Sequence, residues 1–186
     1  MADEQAWAAI AEGMRRSAAV LPMERIPEID LYMDQLTTFM EEKLRVCKRG
    51  ADEKILTKTM INNYSKDKML PPSVNKKYSR EHMMRLVMIY HLKSVLSIQD
   101  IHTLLKAADG SNALAAVYQA FTTMQADVAE RAAAAVPDAA ADADKLLPEG
   151  TEQAKAVAAA LRLSLEAAAM KRAAEMVLDG FLGEKK

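Results

Sequence analysis

Two adjacent prolines, Pro71 and Pro72, fix the layout of the middle of this chain. Neither can donate a backbone N–H, and a proline pushes the residue before it away from helical backbone. One helical pattern must therefore end before Leu70, and the next can begin only beyond the prolines. The stretch that follows, Ser73-Val74-Asn75-Lys76-Lys77-Tyr78, has turn or extended character, so a small wing-like connection is predicted between two helices.

On both sides of this break the apolar residues recur at three- and four-residue steps, the period of an amphipathic helix. Trp7, Ile10, Met14 and Ala18 predict a short helical arm that Pro22 ends. After Pro27, the stripe Ile29, Met33, Leu36, Phe39, Met40 and Leu44 predicts a helix over 28–46. A polar loop around Gly50 leads to Thr57, a candidate N-cap for a short helix through Lys66. Ser79 opens a helix to about residue 96, carried by Met83, Leu86, Val87, Ile89 and Tyr90, and Ser97 caps another that ends near Asp109-Gly110. No strand-type alternation occurs.

Beyond Gly110 the composition shifts to alanine. A helix over 111–135 carries Leu114, Val117, Tyr118, Phe121, Met124 and Val128. Residues 137–150, with Pro137, Pro148 and Gly150, read as a linker in which Leu146 and Leu147 are expected to pack, and a final helix over 151–179 presents Val157, Leu161, Leu165, Ala169, Met176 and, just beyond it, Phe181. The expected architecture is all-α: an arm over 1–20, a compact head over 21–108 and an alanine-rich helical hairpin over 109–186.

Several functional classes are excluded as expectations. No apolar run approaches the ~20 residues that span a bilayer. Asp3 and Glu4 stand where a signal peptide needs basic residues, so a cytoplasmic protein is expected. A single cysteine, Cys47, and three histidines show no metal-ligand spacing, so neither a metal nor a cofactor is expected. There is no glycine-rich phosphate loop, nucleophile elbow or His–carboxylate pair, so an enzyme is not expected.

The overall net charge of −1 conceals an asymmetry. From Lys54 to Ser94 nine basic residues face only Asp67 and Glu81, a local charge of +7, which leaves −8 for the rest of the chain. That basic segment contains the short helix. There Met60, Ile61 and Tyr64 can turn inward while Lys58, Thr59, Asn62, Asn63 and Lys66 stay outside. Asparagine can pair with adenine edges, threonine can touch a base or a phosphate, and lysine neutralises backbone charge. Lys76, Lys77 and Tyr78 on the wing, with Arg80 and Arg85 at the start of the next helix, add a phosphate-tracking surface. Tyr64 and Tyr78 are expected as supporting aromatics, and His82 as a partner for a local carboxylate or backbone group.

In this order of features, the Thr57–Tyr64 helix, Leu70-Pro71-Pro72, Lys77-Tyr78-Ser79-Arg80-Glu81-His82 and Leu96-Ser97-Ile98, the chain resembles the bacterial family known as domain of unknown function 1836 over about residues 21–106. More distantly it is similar to the MerR-like winged helix-turn-helix superfamily. That resemblance implies binding of double-stranded DNA and regulation of transcription. By it Thr57, Thr59, Asn62, Asn63 and Tyr64 match the recognition helix, Lys76, Lys77 and Tyr78 the wing, and Arg80 and Arg85 the start of the helix after the wing. Asn62-Asn63 replaces the arginine common before the tyrosine in MerR recognition helices, and the long helix with an effector-ligating cysteine is absent, so the resemblance implies no metal sensing. The alanine-rich hairpin lies outside it. The hairpin is expected to form a homodimer or to enclose a small-molecule effector; a protein-interaction or ligand-binding module without DNA binding is the competing expectation.

Overall fold

In the computed structural model, which describes residues 2–17 and 21–183, the polypeptide is mostly helical. Helix α1 runs over Ala2–Ser17, strand β1 over Leu31–Tyr32, α2 over Met33–Leu44, α3 over Lys58–Lys66, strand β2 over Lys77–Tyr78, α4 over Arg80–Leu92, α5 over Ile98–Ala107, α6 over Ser111–Leu146 and α7 over Glu152–Phe181. Ala18, the last residue of the stripe expected in the arm, lies outside the described residues. No described helix is long and apolar enough to cross a membrane.

The chain divides into two compact units. One comprises Met1–Ala18 and Gln125–Ala174, the other Ala19–Met124 and Glu175–Lys186, so α6 and α7 each contribute to both.

In the second unit α4 is the central element. Every residue from His82 to Tyr90 is buried, and a helix buried all round must lie inside rather than on a core. It packs against α5 and β2. Leu36, Met40 and Leu44 form the buried stripe of α2, and Tyr118 of α6 donates its hydroxyl hydrogen to the Leu21 carbonyl at 2.7 Å inside the same core. Ser97 caps α5 by a reciprocal bond: its Oγ accepts from the Asp100 N–H at 3.1 Å while its own N–H donates to the Asp100 carboxylate at 3.3 Å.

The helix expected from residue 28 begins instead at Met33. Leu31 and Tyr32 are extended and pair antiparallel with the wing, Leu31 opposite Tyr78 and Tyr32 opposite Lys77. Two residues are too few to show a period-two pattern, and their pairing partners lie 47 and 45 positions on, so a reading confined to local periodicity extends the helix through them.

In the first unit α1 lies on the alanine face of α6. Ala11 packs with Ala133 and Val136, flanked by Trp7 and Leu163, and Arg15 grips Glu130 through two bonds of 2.8 and 2.9 Å. A second cluster joins Ala139 and Ala143 of α6 to Ala159 of α7. The linker expected over 137–150 is therefore mostly helix: α6 continues through Pro137 to Leu146. A proline removes one hydrogen bond, but here the buried stripe Ala133, Val136, Ala139 and Ala143 holds the helix on its neighbours across the gap. The turn is confined to the residues around Pro148 and Gly150, where the Gly150 N–H donates to the Leu147 carbonyl at 2.9 Å and a Cβ on Gly150 would stand 2.9 Å from that of Leu147. Leu146 and Leu147, expected to pack, are both exposed.

Candidate nucleic-acid interface

Helix α3 is built as its sequence predicts. Thr57 is extended and its Oγ1 accepts from the Met60 N–H at 3.2 Å, so this hydroxyl is committed to starting the helix. Ile61 and Tyr64 are buried and Met60 is half-buried, which leaves Lys58, Thr59, Asn62, Asn63 and Lys66 exposed along the opposite side. Burial also pushes the Tyr64 phenol above its usual pKa, consistent with a packing role.

The C-terminal end of α3 closes with a left-handed residue. Lys68 has φ 57°, its N–H donates to the Ser65 carbonyl at 3.2 Å, and the next N–H, of Met69, reaches back to the Tyr64 carbonyl at 2.9 Å. This is the paired-bond cap that usually employs glycine. Met69 buries behind it and Lys68 stays exposed, adding a cation next to Lys66 that sequence reasoning missed because the helix pattern gave no sign of a left-handed lysine.

The wing is a two-residue hairpin. Val74 bridges to Lys77, whose N–H donates to the Val74 carbonyl at 2.9 Å, and the two residues at the tip, Asn75 and Lys76, have φ of 52° and 61°. Positive φ at both central positions defines the type I′ turn that matches strand twist. Asparagine tolerates that backbone; lysine is strained in it. Lys76 is exposed at the tip. Lys77 is half-buried, with its ammonium 5.1 Å above the Tyr32 ring, and Tyr78 is buried edge-on to the His82 ring at 5.3 Å.

His82 ties the wing's end to α4. Its Nδ1 accepts from the Ser79 N–H at 3.0 Å, which leaves the Nε2 proton to be donated to the Pro71 carbonyl at 2.9 Å. Burial holds its pKa below the usual histidine value. The expected backbone-partner role is what the geometry gives.

The two arginines expected on this surface are otherwise engaged. Arg85 is buried: its Nη2 meets Asp109 Oδ1 at 2.6 Å and its Nε donates to Glu81 Oε1 at 3.1 Å. Two carboxylates neutralise it and the protein covers it, so it offers nothing to a phosphate, and its assignment as a contact is corrected. Arg80 is half-buried, donating to the Met23 carbonyl and lying 3.6 Å from Glu28, so it acts chiefly as a brace between α4 and the segment before β1. Lys58 pairs with Asp34, yet its side chain is 60% exposed, which keeps that pair weak and exchangeable. Lys93, part of the +7 count, donates to the Ile55 carbonyl at 3.3 Å and lies over the Tyr90 ring, so it is engaged within the fold.

What remains exposed is Lys58, Thr59, Asn62, Asn63 and Lys66 on α3, Asp67 and Lys68 just beyond it, and Asn75 and Lys76 at the hairpin tip. Among the described residues no cluster of three His, Cys, Asp or Glu could hold a metal ion.

Over residues 21–121 the chain matches the family described as a domain of unknown function, DUF1836. No curated protein and no solved structure matches it.

Proposed function

We propose, for a chain that belongs to the DUF1836 family, that it is a double-stranded DNA-binding regulator of transcription, reading the major groove with α3. The observation that supports this most is the composition of the exposed side of α3. It carries lysine, threonine and two adjacent asparagines and no acidic residue, on a helix nine residues long held from behind by Ile61 and Tyr64. A helix that merely faces solvent has no need of uniform sign or of paired amides. Asn62 and Asn63, with Thr59, supply base-edge contacts; Lys58, Lys66, Lys68 and Lys76 supply phosphate contacts.

The hairpin strengthens the reading. A wing carrying a lysine after a short recognition helix is the order that the similarity to MerR-like winged helix-turn-helix proteins implies, and α2, α3, the hairpin and α4 occur here in that order. The protein acts without catalysis or cofactor, as a DNA-bound homodimer in the cytoplasm.

The experiment that tests the reading is selection of bound duplexes from a randomised pool, for the wild type and for the double variant Asn62→Ala/Asn63→Ala. A recovered consensus that degrades in the variant, while general affinity for duplex persists, supports base reading by α3. A folded wild-type protein that retains no duplex even at low salt sinks it.

A second reading draws on the first unit. A groove of about 730 Å³ there is lined by Trp7, Ala8 and Ala11 of α1, Pro137 and Ala140 of α6 and Lys155 of α7, among others. Its size suits a small effector molecule. Quenching or enhancement of the fluorescence of Trp7, the sole tryptophan, across a metabolite panel would reveal one; an unresponsive signal throughout would remove this reading.

A further inference from the structure

Helix α7 packs within the first unit through Ala159, Ala158 and Leu163 and turns a second set of large residues outward. Ala159 is fully buried, whereas Val157, Leu161 and Leu165 are 54, 59 and 70% exposed. These three fall at four-residue steps and, with Ala154 and Ala168 at either end, form one stripe roughly opposite Ala159. Lone exposed leucines are ordinary on protein surfaces, but a continuous apolar stripe on a helix is a surface awaiting a partner.

We infer that a second copy of this chain covers the stripe, with the two α7 helices antiparallel and Leu161 on the two-fold axis. The pattern is its own complement about that residue. Turning the helix end for end around Leu161 sets Val157 against Leu165 of the partner, Leu161 against its own counterpart, and Ala154 against Ala168, so branched side chains meet at the centre and the small residues let the backbones close at both ends. Charge points to the same axis. Glu149, in the turn before α7, lies twelve positions before Leu161, and Arg172 lies eleven after it, so antiparallel pairing brings unlike charges toward one another at each end. A parallel pair would stack like on like at both ends, which is unfavourable. The inference stands apart from the DNA reading, since its test contains no DNA.

The test combines mass with cross-linking on the full chain. Sedimentation equilibrium of the wild type at micromolar concentration gives a dimer, and Leu161→Glu, which sets two carboxylates face to face on the axis, gives a monomer with unchanged far-ultraviolet circular dichroism. In non-reducing gels, with the wild type and its single Cys47 as baseline, Leu161→Cys forms a covalent dimer on oxidation. Val157→Cys does not, because antiparallel helices hold the two copies of residue 157 about 12 Å apart along the axis, beyond disulfide reach. A monomeric wild type, a dimer indifferent to Leu161→Glu, or equal cross-linking at 157 and 161 would each overturn the inference.

Discussion

Lys76 stores strain at the tip of the hairpin in the proposed interface. An L-residue in left-handed backbone costs on the order of 1–2 kcal/mol, and glycine would relieve it. Lys76→Gly is therefore expected to raise the melting temperature by a few degrees while weakening duplex binding and lowering the salt slope by about one unit. A variant that gains stability and loses no affinity would show that the lysine serves neither fold nor DNA. The same scale holds a pH effect. His91 lies tilted on Phe121 and edge-on to Tyr90, and burial holds its pKa down to about 4. The unfolded chain takes up this proton near pH 6.5 and the fold only near 4. His91 thus contributes full stability above about pH 6.5 and loses it progressively as the pH falls to about 4. Thermal melts at pH 7, 5.5 and 4 should show that decline, and His91→Phe should flatten it; an equal decline in the variant would assign the effect to other groups.

Among the elements, α3 separates its two jobs by side. Ile61→Ala empties a fully buried site and is expected to cost about 3 kcal/mol in chemical denaturation, whereas Asn62→Ala/Asn63→Ala should stay within about 0.5 kcal/mol per residue. A large destabilisation by the asparagine variant would mean that the amides support the fold. This helix was legible in the sequence because its cap, its buried pair and its exposed polar residues all lie within ten positions. The hairpin was legible only as a break: the prolines and the Asn-Lys pair marked a turn, but nothing local marked Leu31–Tyr32 as the strand that completes it. Arg85 misled for the same reason, since its neutralising partner Asp109 lies 24 residues away. In α6 the opposite error arose, because Pro137 reads as a break locally and only the alanine packing along both flanks shows why the helix survives it. Helix α7 was legible in extent, and the large residues its sequence presents, Val157, Leu161 and Leu165, lie on the surface, while Ala159 and Leu163 pack inward.

Taken whole, the molecule keeps its strongest local excess of positive charge in one unit. The basic segment, with its seven excess charges, lies entirely within Ala19–Met124, in a chain whose net charge is −1. Whole-chain charge therefore predicts no affinity for polyanions, and only a localised surface can provide it. On the proposed reading the work divides the same way: DNA contact falls to the unit holding α3 and the hairpin, and the inferred pairing with a second copy to the first unit's stretch of α7. The most direct test of the central claim is the salt dependence of binding to random duplex DNA, measured for the wild type and for Lys76→Ala/Lys77→Ala. A steep inverse dependence for the wild type, with the slope reduced by about one unit in the variant, is the expected result. No binding by a folded wild type at low salt, or an identical slope in both proteins, would contradict a DNA interface formed by this helix and hairpin.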